Sequence, residues 1–146
     1  RLEQERQVEA PDVLVLEGWC WGAQPGPVEA LSQPVNTLEH DQDPDGVWRG
    51  FVNDALASAD YQVCFANDIK VFLAVPDMES VFRWRLQQEQ QITSGQRVMD
   101  ESEVRSFIMY YQRITQRMLD EQADLVDFTV QLAADHSIGS IRRRIT

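Results

Sequence analysis

Four apolar residues in a row, Val13-Leu14-Val15-Leu16, stand out from a chain that is otherwise patterned in shorter steps. A run without alternation is how a strand buried on both faces of a parallel sheet reads, although four residues alone also suit a buried helix. Pro11 and Asp12 before it and Gly18 after it favour the strand. A second run over residues 69–75, closed by Pro76 and Asp77, predicts a strand beside the first in one parallel sheet. A third, residues 128–132, alternates apolar with polar residues, which predicts a place nearer the sheet edge.

Between these runs the spacing turns helical. Pro34 suits the first turn of a short helix ending at Glu39, with Ser32 or Gln33 near its cap. Residues 23–34 in front of it, with Pro25, Pro27 and Pro34, predict a loop. Trp48, Phe51, Val52, Ala55 and Leu56 recur at spacings of three and four and predict a helix buried on that face, with Asp43 or Asp45 as its cap. Residues 60–68 read as a connection. Met78, Val81, Phe82 and Leu86 form one face of a helix opened by Asp77 or Ser80, and Thr93-Ser94-Gly95-Gln96 would end it and let it hinge. Asp100 with Glu103 fits a capping box, and Val104, Phe107, Ile108, Tyr111, Ile114 and Met118 then give the clearest amphipathic helix. Ile138 and Ile141 close the chain in a short helix or an extended tail. The pattern predicts one α/β domain over residues 1–146, with 1–11 as a polar linker.

Composition narrows the function classes. A net charge of −11, from 24 acidic against 13 basic residues, disfavours a nonspecific nucleic-acid binder or an anionic-membrane binder. Arg142-Arg143-Arg144 is a local exception, read as a solvated tail or a phosphate contact. Cys20 and Cys64 have no metal-ligand spacing and read as reduced thiols of a cytoplasmic protein. No apolar run approaches the 18 residues of a membrane span, and no signal-peptide pattern is visible. Asp41, Asp43, Asp45 and Gly46 match the start of a calcium loop, but Val52 stands where that loop needs its glutamate and Pro44 interrupts the ligands, so the reading fails.

The candidate chemistry starts at Glu17, a carboxylate expected at the C-terminal end of the first strand, where open α/β sheets bind ligands. Nucleotide kinases hold or orient Mg²⁺ with a carboxylate so placed. The plainer reading is a glutamate that faces water. Trp19 and Trp21 wall a substrate pocket or plug the core beneath the loop.

Leu-Glu-Gly-Trp-Cys-Trp-Gly, residues 16–22, resembles the Walker-B-like segment of the D-glycerate 3-kinase family, P-loop kinases related to uridine kinase, phosphoribulokinase and pantothenate kinase. Residues 33–39 (Gln-Pro-Val-Asn-Thr-Leu-Glu) and 48–53 (Trp-Arg-Gly-Phe-Val-Asn) are similar to the helical segments that follow in that family. Residues 81–89, Val-Phe-Arg-Trp-Arg-Leu-Gln-Gln-Glu, are similar to its lid helix, and residues 99–107 to the start of the next helix. The resemblance runs through nearly the whole chain but covers only the C-terminal half of the family. It implies a P-loop NTPase-type parallel sheet flanked by helices, a lid-like region over residues 77–99, and ATP with Mg²⁺ as cofactors of the intact parent. It implies Glu17 at the metal, Arg85 first and Arg83 second on the transferred phosphoryl group, Arg85 and His136 at the nucleotide, and a small hydroxy acid, D-glycerate foremost, as acceptor.

The departures set the other expectation. No G-x-x-x-x-G-K-[ST] occurs, none of the seven glycines precedes a lysine, and Lys70 is the one lysine. The family's upstream aspartate, the acceptor of the substrate hydroxyl proton, is missing as well. Nothing here cradles phosphates through backbone N–H groups, so this chain alone is expected not to turn over and reads as a fragment. Its expected partners are the missing N-terminal half or a second copy. The alternatives are a stand-alone degenerate half that dimerises or binds a partner, and a uridine- or pantothenate-kinase-like acceptor specificity.

Overall fold

The computed structural model describes residues 10–92 and 97–144. Five helices and three strands follow in the order α1 (Thr37–Gln42), α2 (Val47–Ala57), α3 (Ala59–Cys64), β1 (Val71–Ala74), α4 (Met78–Gln90), α5 (Glu101–Glu121), β2 (Phe128–Leu132) and β3 (Ile138–Arg143). Short 3-10 turns cover Val28–Ser32 and Gln122–Asp124.

The longest helix is the one that local chemistry specifies best. The Asp100 carboxylate accepts the Glu103 N–H at 2.8 Å, and the Glu103 side chain accepts the Asp100 N–H at 3.0 Å. This box satisfies two of the N–H groups that a helix start leaves orphaned. α4 is capped the same way from one side, with Asp77 accepting the Ser80 N–H at 2.7 Å. Bonds from the Ser80 hydroxyl and then its N–H hold the Asp77 carboxyl below its ordinary value. Val81, Phe82, Val104 and Ile108 lock α4 onto α5 in one buried cluster. Ala23, Leu56, Phe65 and Met118 form a second, with Trp21, Phe72 and Ile114 packed around it.

The chain makes a three-stranded sheet in the order β1-β2-β3, flanked by helices. β1 pairs with β2 in parallel, Val71 opposite Phe128 through Ala74 opposite Gln131. β3 returns antiparallel beside β2, with an irregularity at Gln131/Leu132. Phe72 packs into the cluster that contains Met118 of α5, and Ala74 is buried. Side chains alternate across a strand, so Val71 and Leu73 point the other way, and both are more than half exposed. One face of the sheet is therefore covered and the other open, unlike the double cover usual for parallel strands.

Several sequence expectations are corrected here. Val13-Leu14-Val15-Leu16 is no strand: it is unpaired among the described residues, and its exposures of 77%, 72%, 79% and 47% exclude a buried run. Apolar composition makes a segment fit for a sheet, but a strand exists only where a neighbour supplies the ladder, and β1 pairs with β2 instead. β2 is the central strand of the three and not the edge, because the Ile138–Arg143 tail folds back as β3. The connection after α2 is partly helical, as α3. Asn36 caps α1 in place of Ser32 or Gln33, accepting the Glu39 N–H at 3.0 Å. Gly46, at φ +71, occupies the N-cap of α2, while Asp43 reaches the same helix start from outside and accepts the Trp48 and Arg49 N–H groups at 2.9 and 3.1 Å. The buried residues of α2 are Arg49, Asn53 and Leu56, and Phe51 is exposed. The hinge expected over residues 93–96 and most of the linker expected over 1–11 lie outside the described residues.

Candidate functional site

A cleft of about 540 Å³ runs along β1. Leu16 to Trp19 and Trp21 line it together with Val71, Phe72, Leu73 and Val75. Val81, Trp84, Arg85 and Gln88 of α4, Thr115, Met118 and Leu119 of α5, and His136 of the β2–β3 turn complete it. Val75 and His136 both follow the C-terminal ends of the parallel strands, the end where α/β sheets bind ligands.

The turn between β2 and β3 aims the imidazole. The Ala133 N–H donates to the Ser137 carbonyl at 2.8 Å, and the His136 N–H donates to the Ala133 carbonyl at 3.0 Å. His136 sits at φ +70, a conformation that costs a non-glycine residue energy and that the turn imposes. Asp135 accepts the Ser137 hydroxyl at 2.6 Å and its N–H at 3.1 Å, which holds the Asp135 carboxyl below its ordinary value. The His136 ring stacks on Trp84 with centroids 4.4 Å apart, and its Nε2 lies 3.3 Å from Gln87 Oε1. The Trp84 indole N–H donates to the Ala134 carbonyl at 3.1 Å, fixing the plate on which the imidazole rests.

The two arginines expected at the lid part company. Arg85 lines the cleft, pairs with Glu89, donates to Gln88 Oε1 at 2.5 Å and lies over the Phe107 ring at 5.2 Å. Its Nε is buried and has no hydrogen-bond partner. Arg83, two positions earlier and so on another helix face, is exposed and donates to Ser80 Oγ at 3.2 Å. Glu17 stands exposed in the cleft wall. Among the described residues no three His, Cys, Asp or Glu gather as a metal-binding group, so Glu17 offers a single carboxylate.

Trp21 lies both at the cleft and against the core. It lines the cleft, and it packs on the Ala23–Met118 cluster edge-on to Phe65 at 5.2 Å. Trp19 stacks on Tyr111 at 5.1 Å and donates its indole N–H to Thr115 Oγ1 at 3.0 Å. Cys20 between them is partly buried, which pushes its thiol above the ordinary value. Thr115 was not expected here. Its signal is the heptad-like series Val104, Ile108, Tyr111, Thr115, Met118, in which it is the polar member of an apolar stripe.

The arrangement suits a ligand with a planar or anionic part: an aromatic plate, one guanidinium with an unused buried N–H, one amide and one carboxylate line the cleft. The 146 residues contain no G-x-x-x-x-G-K-[ST] run to cradle a triphosphate.

No protein-family model matches the chain, and no curated protein matches it in sequence. A solved structure described as "Structure of YGR205w protein" is similar in fold, with a TM-score of 0.51 and 19% identity over 88% of this chain. The match spans 47% of that chain. No helix among the described residues is long and apolar enough to cross a membrane.

Proposed function

We propose that this chain is the lid-side and metal-side part of an ATP-dependent kinase with a P-loop NTPase-type sheet, acting on a small hydroxy acid and most of all on D-glycerate. One observation carries the reading. The two segments with the most distinctive resemblance, residues 16–22 and 81–89, both line one cleft, at the end of the sheet where ligands bind. In such kinases ATP supplies the phosphoryl group and Mg²⁺ neutralises its charge.

In this reading Glu17 orients the hydrated metal, and Arg85 steadies charge on the transferred group through its unused Nε–H. Trp84 and His136 form a flat wall suited to a nucleotide base. The phosphate cradle and the base for the acceptor hydroxyl come from other polypeptide, because the 146 residues contain no Walker A sequence. Catalysis is by positioning and charge stabilisation. Nucleic acid and membrane are not partners in this reading, in keeping with the net charge of −11.

The test is ADP release from ATP·Mg²⁺ with D-glycerate, measured on the product of the whole reading frame and on the 146-residue chain. The chain alone is expected to be silent. In an active product, Glu17→Gln and Arg85→Ala should each lower turnover by roughly 10²–10³-fold. Full turnover in both variants would overturn the residue roles, and silence with glycerate, uridine and pantothenate alike would overturn the kinase. A second reading, an interaction module, is favoured by the edge of β1 that is unpaired among the described residues.

A further inference from the structure

We propose that a second cavity, on the side of α5 turned away from the cleft, binds a small zwitterion with an apolar side chain, in the simplest case an apolar α-amino acid. Arg117 takes its carboxylate, and Asp120 with Glu121 takes its ammonium group.

The cavity measures about 240 Å³ and is bounded by the loop before α1, by α2 and by α5. From α5 it takes Arg117, Asp120 and Glu121, whereas the cleft takes Thr115, Met118 and Leu119. At about 3.6 residues per turn these two sets lie on opposite sides of the helix, so an occupant here leaves the cleft free. Leu31, Val35, Val52, Leu56 and Ile114 give the cavity an apolar wall. It is smaller than the ~300 Å³ at which sites for drug-sized ligands begin, so its occupant is small.

The unused group is on Arg117. A guanidinium has a flat edge, Nε–H beside Nη2–H, that fits both oxygens of one carboxylate. Arg113, one turn earlier, shows that edge filled: its Nε and Nη2 hold the two oxygens of Glu39. On Arg117 the edge is half filled. Nη2 pairs with Glu121 at 2.8 Å, and Nε is buried without a hydrogen-bond partner. Buried donors are nearly always satisfied in folded proteins, so one left open calls for an acceptor. The guanidinium is also seated by design of the loop. A methyl group on Gly26 would come within 2.6 Å of Arg117 Nη1, so the glycine makes the room, and Asn53 clamps that glycine from α2. Glu121 is a weak rival for the edge: it is an i,i+4 partner, about half exposed, and such surface pairs contribute little. A ligand carboxylate displaces it and takes both nitrogens.

The charges choose the ligand class. Arg113 is spent on Glu39, which leaves one guanidinium beside two exposed carboxylates, Asp120 and Glu121. A plain anion at Arg117 would meet two like charges, and a plain cation would leave the open Nε unmet. A zwitterion answers both. Asp120 and Glu121 stand three and four positions after Arg117, on one helix face. The carboxylate and ammonium of an α-amino acid share one carbon and so reach both charges at once, while the side chain covers the apolar wall. The inference is independent of the kinase reading, because it concerns the other face of α5 and is read by binding without ATP.

The experiment is isothermal titration calorimetry on the product of the whole reading frame. The probes are L-leucine, 4-methylpentanoate (leucine without its ammonium) and 3-methylbutylamine (leucine without its carboxylate). Leucine should saturate the protein below about 10 mM and bind at least ~10-fold tighter than either analogue. Arg117→Met, which keeps the bulk, should weaken leucine by about tenfold or more. Asp120→Asn should weaken leucine and leave 4-methylpentanoate no weaker. Gly26→Ala, which pushes the guanidinium from its seat and deletes no charge, should weaken leucine as well. Thermal unfolding shows whether each variant is folded, and the comparison of the three probes on the unaltered protein needs no variant. Absence of leucine binding up to about 10 mM would overturn the proposal. So would equal binding of all three probes, which marks a merely apolar cavity, tighter binding of 4-methylpentanoate, which marks an anion site, or leucine binding unchanged in folded Arg117→Met.

Discussion

Arg113 holds Glu39 in a two-pronged grip, Nε to Oε1 at 2.8 Å and Nη2 to Oε2 at 2.6 Å, and so ties α5 to the start of α1. The same guanidinium donates to the carbonyls of Ala30 at 2.9 Å and Gln33 at 2.5 Å, while Glu39 also accepts the Val35 N–H at 2.9 Å. Four loop and helix groups thus depend on one side chain. Both partners are largely buried, so removing one strands the other away from water. Arg113→Ala should cost about 2–4 kcal/mol, toward the low end for a pair that keeps some solvent. Arg113→Lys should recover only part, since a point charge cannot satisfy two carboxylate oxygens and two carbonyls. Urea unfolding decides it, and a loss below about 0.5 kcal/mol would deny the grip any role.

Acid should undo the same region. Burial works against the charge of Glu39, but the Arg113 hydrogen bond, the Val35 N–H and the charges of Arg113 and Arg49 outweigh it and lower its pKa below the ordinary 4.5. Burial likewise opposes the charge of Asp43, and the N–H groups of Trp48 and Arg49 with the Arg49 charge take it below 3.8. Groups lowered by folding stabilise fully above their unfolded values, and that stability is lost as pH falls through the folded ones. The urea midpoint should be level in its carboxylate contribution from pH 7 to about 5, then fall steadily below about pH 4.5. Glu39→Gln should flatten part of that fall, and an unchanged slope in the variant would assign the acid lability elsewhere.

Asn53 clamps the loop that carries Gly26. Its Oδ1 accepts the Gly26 N–H at 2.5 Å, and its Nδ2 donates to the Gly26 carbonyl at 3.2 Å. Asn53 is buried on α2, so Asn53→Ala leaves two backbone groups short of partners and should cost about 1–3 kcal/mol. Gly26→Ala is the contrast. Its new methyl would come within 2.6 Å of Arg117 Nη1, the far end of a side chain that can swing away. It should therefore cost less than Asn53→Ala, and the reverse order in thermal unfolding would show that the loop depends on space and not on the clamp.

What was legible in the sequence is what is decided locally. The cap of α5 needs only Asp100 and Glu103, and its buried stripe needs only the spacing from Val104 to Met118, so both could be read directly. β2 was legible as a strand but not as the centre, because its rank depends on a partner, β3, whose Ile-Gly-Ser-Ile pattern is weak. The run at residues 13–16 was legible as apolar and not as unpaired, since no residue in it says which edge it meets. Helix geometry already separated Arg83 from Arg85, and the cleft keeps the latter. The ion pairs Arg113–Glu39 and Arg49–Asp43 were invisible, because nothing in one strand of text shows which charge a fold will bury.

Arg85 and Glu89 allow structure and chemistry to be separated at one residue. Glu89 is 3% exposed; Arg85 pairs with it, and the Met99 N–H donates to it at 3.0 Å. Arg85→Ala should therefore destabilise by about 2–4 kcal/mol whatever the protein does, because a buried carboxylate loses its counter-charge. Adding Glu89→Leu removes the stranded charge and should return most of that stability. Under the proposed kinase reading, phosphotransfer should not return with it, because the guanidinium which that reading places at the transferred group is still gone. Recovery of both in the double variant would reduce Arg85 to a packing residue and move the search for the phosphate contact to Arg83. Recovery of neither would mean that Glu89 is needed for its bond to Met99, and that α4 is held to the start of α5 through that carboxylate.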